Sequence, residues 1–283
     1  MKQKTALLIG ATTGIGAETA KRLAEAGYRV ILVGRNEAAG QQLATQLAGT
    51  FIRADMALLS ETRRVAEAAR QQTDALALIV HTADVLAMQR QETDEGLERS
   101  SALNYFSRFL LNSLLLDRLQ REASPRIVHV AAANIPLTLT DANFPPPATV
   151  SSFTGHNIGQ AANDLYGLTF AQRYPGIRIN ILNPGIVDTD IRRRGEGGRL
   201  MRLLVPIMET LMRPMTQTPA EYARLVAAIA TGQHAAANQA VLIDRKGNAL
   251  KPRPDRLNPA AQQFVWQQSE RLVQQTLTDS PTV

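Results

Sequence analysis

The chain has no cysteine, which excludes a disulfide framework, a thiolate nucleophile and any zinc or iron–sulfur site built on thiolates. Lysine is almost as scarce. The five lysines are Lys2, Lys4, Lys21, Lys246 and Lys251, so any chemistry that needs a lysine between residues 22 and 245 is excluded. The four histidines, His81, His129, His156 and His234, are not spaced as paired metal ligands, and no metal site is expected. No apolar run approaches the roughly 18 residues that a membrane span needs. The opening MKQKTALLIG lacks a signal-peptide core and a small-residue cleavage site, so a cytoplasmic protein is expected.

What is present is an ordinary globular composition: 283 residues, 45% hydrophobic and 20% charged, enough for one sizeable domain. The formal charge is +6 and the pI near 10.0. The arginines are scattered, and the one tight cluster is Arg192, Arg193 and Arg194. A solvated basic surface is expected, with no nucleic-acid partner.

Short runs rich in Val, Ile and Leu recur: Ala6 to Ile9, Val30 to Val33, Phe51 to Ile52, Leu76 to Val80, Ile127 to Val130, Ile177 to Leu182 and Ala240 to Ile243. Continuous apolar strands alternating with helical segments predict a parallel sheet covered on both faces, a doubly wound α/β fold of the Rossmann type in a single domain, residues 1–283. Helices are predicted from Ile15 to Ala26 closed by Gly27, from Glu37 to Leu47 closed by Gly49, and as one long helix from Gly96 to Gln120. Pro145-Pro146-Pro147 and Gly195 to Gly198 read as long loops, and residues 255–283 as a C-terminal helix and tail.

Gly10-Ala11-Thr12-Thr13-Gly14-Ile15-Gly16 follows the first strand and opens the first helix. Glycines at 10, 14 and 16 permit a tight turn and a close backbone approach, and they leave an anion at the helix N-terminus, where N–H groups are unspent. The second strand ends Val33-Gly34-Arg35-Asn36. An acidic residue there would meet a ribose 2′-hydroxyl; Arg35 instead offers a planar cation to a 2′-phosphate, so NADP(H) is expected over NAD(H).

On this glycine spacing, along nearly its whole length, the chain resembles the short-chain dehydrogenase/reductase family. The segments Gly96-Leu97-Glu98, Asn104-Tyr105, Phe109-Leu110-Leu111 and Phe264-Val265-Trp266-Gln267-Gln268-Ser269-Glu270 are similar to its retinol-dehydrogenase-like branch. The resemblance implies a cofactor site of Gly10, Thr12, Thr13, Gly14, Ile15, Gly16, Arg35, Asn36, Asp55, Met56, Ala83, Gln160, Pro184, Gly185, Val187 and Thr189. Asp55 would contact the adenine, and Thr189, in Pro184-Gly185-Ile186-Val187-Asp188-Thr189, the nicotinamide carboxamide. It further implies a small-molecule substrate, a homodimer or homotetramer, and a substrate lid over residues 190–217.

Members of the family reduce carbonyls with an Asn, Ser, Tyr and Lys set. Asn104 stands at the Asn position. The Ser position falls on Ala132, the Tyr position on His156 and the Lys position on Gln160, and His81-Thr82-Ala83-Asp84 replaces the family's N-N-A-G. No tyrosine has a lysine four residues on, the partners of Tyr28, Tyr105, Tyr166, Tyr174 and Tyr222 being Leu32, Phe109, Phe170, Arg178 and Val226. In a helix from about Thr154 to Arg173, His156, Gln160, Asn163 and Gly167 share a polar stripe, with Ile158, Ala161, Leu165 and Leu168 on the buried one.

Two readings of His156 and Gln160 stand open. They are solvated remnants of a lost site, or His156 is the acid, oriented by Asp84, while Gln160 bonds a ribose hydroxyl. Losing a positioned acid costs about 10²–10⁴ in rate. The expected reaction is therefore NADPH-dependent reduction of an apolar or activated carbonyl, enone or iminium. Non-redox chemistry around bound NADP(H) and cofactor sensing without turnover are the alternatives. The lid segment repeats Leu200, Leu203, Leu204, Ile207, Met208, Leu211 and Met212 at helical spacing, which fits packing or a lipophilic pocket equally.

Overall fold

The computed structural model describes residues 3–86, 89–185, 187 and 216–279. Seven parallel strands form one sheet in the order β3-β2-β1-β4-β5-β6-β7. They are β1 (Thr5–Ile9), β2 (Arg29–Gly34), β3 (Thr50–Arg53), β4 (Leu78–His81), β5 (Arg126–Val130), β6 (Arg178–Leu182) and β7 (Leu242–Ile243). The doubly wound reading holds, with each expected run in a strand. The order reverses between β1 and β4, the place where open α/β sheets leave a crevice beyond the strand ends.

Alternation along the strands feeds two cores. Leu7, Ile9, Ile31 and Val33 point to one face, where α3 (Leu59–Gln72), α5 (Ser107–Leu114), α7 (Ser152–Arg173) and the C-terminal α9 (Pro259–Asp279) pack. Ala6, Leu8, Val30 and Leu32 point to the other, against α1 (Gly14–Glu25), α2 (Glu37–Gln46) and α8 (Pro219–Ala230). Each fully buried Leu or Ile contributes about 1.5–3 kcal/mol, which is why strands buried on both faces are mostly Val, Ile and Leu between their ends.

The helix ends depart from expectation in two places. Gly27 closes α1 at φ +87°, as its sequence position implies. At α2 the left-handed residue is Ala48, at φ +49°, and not Gly49. Gly49 is required for space instead, because a Cβ there would stand 2.6 Å from the Val30 carbonyl oxygen.

The long helix expected from Gly96 to Gln120 is broken. A short turn, α4 (Arg99–Ser101), leads into a π-helical segment, Ala102–Phe106, then α5, and the chain turns at Leu115 before α6 (Leu116–Leu119). The start is displaced because the buried Glu98 carboxylate accepts from Ser100 N and Ser101 N at 2.9 and 2.7 Å. Ser152 Oγ donates to the same carboxylate at 2.7 Å, tying α4 to the first turn of α7. A Cβ on Gly155 would fall 2.3 Å from Glu98 Oε2, so helix and carboxylate close up only with glycine there.

The loop after β5 is held by a second buried cluster. Asn134 N donates to Asp164 Oδ2 at 2.9 Å, and Arg256 Nε reaches the same oxygen at 3.3 Å. Burial pushes the Asp164 carboxyl up to about 6 against the pull of Arg256. Trp266 packs α9 onto Tyr166 and carries the Arg173 guanidinium 4.1 Å over its ring.

Candidate active site

A groove of about 450 Å³ opens at the strand reversal. It runs from Arg35 and Asn36 past Ala54, Asp55 and Met56 and along the start of α1 to Thr82, Ala83, Asp84, Val85 and Leu103. Of the expected cofactor residues, Gly10, Thr12, Thr13, Gly14, Ile15, Gly16, Arg35, Asn36, Asp55, Met56 and Ala83 all line it. Pro184, Gly185 and Val187 follow β6 and do not. Thr189 and residues 190–215 of the lid segment, with Arg192 to Arg194 and the Leu/Met stripe, lie outside the described residues.

The glycine turn is shaped for close approach. Gly10 has φ +83° and a Cβ there would stand 2.5 Å from Ala83 N; on Gly16 it would stand 2.2 Å from the Gly10 carbonyl oxygen. Thr13 at the N-cap of α1 makes no side-chain cap bond, and no acidic residue sits in the first turn. The free N–H groups and the positive end of the helix therefore face the groove without a protein anion to answer them. Arg35 is exposed at the groove's mouth. Asn36 is committed to capping α2, accepting from Ala39 N at 3.1 Å. Asp55 pairs with Arg99, a partner that the linear sequence does not announce.

At the far end, side chains replace backbone. Asn104, in the π-helical turn, clasps Val85 from both sides: Val85 N donates to Oδ1 at 3.1 Å and Nδ2 donates to the Val85 carbonyl at 3.0 Å. His156 Nδ1 meets three groups, Asn104 Nδ2 at 2.9 Å, the Val85 carbonyl at 3.2 Å and Asp84 Oδ1 at 3.3 Å. Burial opposes the imidazolium, but Asp84 and the Val85 carbonyl outweigh it, and His156 titrates above the usual imidazole range. The His156 side chain is 12% exposed and stands against Asp84, which lines the groove, while His156 itself does not.

Gln160 is 0% exposed. Its Oε1 accepts from Ala132 N at 2.8 Å and its Nε2 lies 3.4 Å from His156 Nε2, so of the two readings open for Gln160 the solvated one fails. That face of the helix packs on the Asn104 turn and the end of β5, whereas Leu168 from the expected buried stripe is only partly buried. Asn163, also fully buried, donates to the Asn104 carbonyl at 2.9 Å and accepts from His129 Nδ1 at 2.8 Å.

His81 and His129 stand in register on β4 and β5 and share Asn112, through Oδ1 at 2.9 Å and Nδ2 at 3.0 Å. One set of tautomers satisfies the chain: His81 Nε2–H donates to Asn112, Asn112 donates to His129 Nε2, and His129 Nδ1–H donates to Asn163. Burial drives His81 down to about 3, helped by the charge of Arg108, and holds His129 well below the imidazole range. Arg108, equally buried, donates to the carbonyls of Val130 and Ala83 at 3.0 and 2.8 Å, and burial lowers it to about 10. It stays a cation at neutral pH behind the groove wall. Among the described residues, no group of three His, Asp or Glu could hold a metal ion, and no helix is long and apolar enough to cross a membrane.

A parallel sheet with a glycine cradle at its switch point defines a dinucleotide-binding α/β protein. Residues 4–137 match the family model for short chain dehydrogenases. An uncharacterized oxidoreductase of Saccharomyces cerevisiae is 26% identical over 277 residues, which cover 95% of this chain and 88% of that one. Human retinol dehydrogenase 14 is 27% identical over 249 residues, 79% of this chain and 73% of that one. Among solved structures, a short chain dehydrogenase of Shigella flexneri in complex with NADP superposes with a TM-score of 0.63 at 18% identity, covering 87% of this chain and 98% of that one. Over its N-terminal half the chain matches the short chain dehydrogenases, and along most of its length it is similar to oxidoreductases and retinol dehydrogenases.

Proposed function

We propose that the chain is an NADP(H)-dependent oxidoreductase acting on a small, activated electrophile, with His156 handling the proton in place of the family's tyrosine. The observation that carries the reading is the continuous groove from Arg35 to Asp84 along an uncapped helix start. The residues fit a dinucleotide: the glycine turn leaves room that any Cβ would fill, and the α1 N–H groups would hold a pyrophosphate. Arg35 would take a 2′-phosphate, and Asp55 with Met56 the adenosine. A bound nicotinamide would supply or accept a hydride equivalent. That the Shigella flexneri protein of the same fold holds NADP supports this reading.

The chain's own residues supply the proton chemistry. Asp84 and the Val85 carbonyl raise His156 against the opposing effect of burial, which favours its protonated form more than in a free imidazole. Nδ1 accepts from Asn104 Nδ2 at 2.9 Å and lies 3.2 and 3.3 Å from the Val85 carbonyl and Asp84 Oδ1. Nε2–H is left to a substrate oxygen, because the Gln160 Nε2 beside it is a donor and cannot accept. Ala132 has no hydroxyl and Gln160 no charge, so this end polarises a carbonyl weakly, and an electrophile activated beforehand suits it best. The test is titration with NADPH and NADH, followed by loss of nicotinamide absorbance with a panel of carbonyls, enones and imines. Binding without turnover on any of them would favour a second reading, a cofactor-sensing protein, to which the fully committed amides of Gln160 and Asn104 also point.

A further inference from the structure

Three ionisable side chains line the groove among the described residues: Arg35, Asp55 and Asp84. Arg35 stands at the adenosine mouth, and Asp55 is engaged by Arg99. Asp84 alone stands at the opposite end. Its side chain is 26% exposed, so the carboxylate reaches the groove. Its Oδ1 is buried with no hydrogen bond, His156 Nδ1 lying 3.3 Å away without the alignment of one. Arg108, the cation behind it, is taken up by the carbonyls of Ala83 and Val130.

We propose that Asp84 makes this end of the groove a binding site for a cationic nitrogen, an iminium or the protonated amine related to it. The inference rests on the cofactor reading above and names the substrate class for the same site. Two independent observations converge on it. The carboxylate attracts a cation and disfavours the negative charge that builds on a carbonyl oxygen during reduction. Of the side chains that would answer such an oxygen, alanine stands at 132 and the Gln160 amide is tied to Ala132 N, which leaves His156 alone. An iminium carbon that accepts hydride, two electrons with one hydrogen, from a reduced nicotinamide passes its C=N π pair to nitrogen. A neutral amine results, and no proton donor is needed. Asp84 holds the positive substrate more tightly than the neutral product, so it acts through KM more than through kcat and lets the amine leave.

The probe is N-methyl-3,4-dihydroisoquinolinium, with 1-tetralone as a neutral ketone of the same ring size. Calorimetric titration into protein saturated with NADP⁺, where no reduction can occur, is expected to show the cation bound at least tenfold more tightly than the ketone. Asp84→Asn is expected to remove that preference and Asp84→Glu to restore part of it. In turnover with NADPH, Asp84→Asn is expected to raise the KM for the cation about tenfold with little change in kcat. Should Asp84→Asn fail to fold, wild-type affinity for the cation must still fall with added salt while that for the ketone does not. Wild-type protein that binds NADP⁺ yet takes ketone and cation equally overturns this proposal and leaves the cofactor reading standing. Protein that binds neither NADP⁺ nor NADPH overturns both.

Discussion

At the end marked by Arg35, the groove is walled mainly by backbone: a turn whose glycines leave no room for a Cβ, the bare N–H groups of α1, and one exposed arginine. At the opposite end Asp84 lines it, backed by side chains that hold one another, Asp84 and Asn104 against His156, and His156 against Gln160. Backbone geometry is demanded by any pyrophosphate and admits few substitutes. A side-chain constellation can be exchanged member by member as long as each buried polar atom keeps a partner. The two ends are therefore constrained by different rules, by backbone space at one and by side-chain partnership at the other.

The contrast can be broken at either end. His156→Phe is expected to lower kcat on carbonyl substrates by about 10²–10⁴ while NADPH still binds; unchanged kcat would remove His156 from the chemistry. Stability is expected to depend on acid through His81 and His129. Their folded pKa values lie below the unfolded value near 6.5, so the unfolded chain takes up protons first and stability falls as pH drops from about 6.5 toward about 3. The slope is about 1.4 kcal/mol per pH unit for each histidine, and denaturant midpoints at pH 7, 6 and 5 would show it. A flat profile would mean that these rings are not held neutral.

Gly16→Val sets a side chain against the Gly10 carbonyl. It should cost about 1–3 kcal/mol of stability and weaken NADPH and NADH alike, as calorimetry on the folded variant would measure. Arg35→Ala is the most selective change. It should weaken NADPH by about tenfold, near 1.4 kcal/mol, and leave NADH within error; equal losses would mean that Arg35 does not read the 2′-phosphate.

Much of the fold was legible because apolar strands and the glycine turn are local signals. Gly10, Gly14 and Gly16 announce their geometry within seven residues, and all three line the groove. The partner choices at the other end were not legible. Nothing near Glu98 in sequence points to Ser152, and nothing near His81 points to Asn112 and His129; those pairs exist because β4 and β5 are neighbours and α5 and α7 lie over them. The polar stripe of α7 misled for the same reason. Period marks a face of a helix, but whether a polar face meets water or other buried amides depends on what folds over it, here the Asn104 turn. Asp84 was visible as an acidic residue beside the site, and its place in the groove wall came only with the fold.

The most direct measurement of the proposed cofactor end is an equilibrium titration of the wild-type chain with NADPH and, in parallel, NADH. Saturable binding of NADPH, at least about tenfold tighter than NADH, is the result predicted by Arg35 and the glycine cradle. Failure to bind NADPH, or tighter binding of NADH, would contradict it.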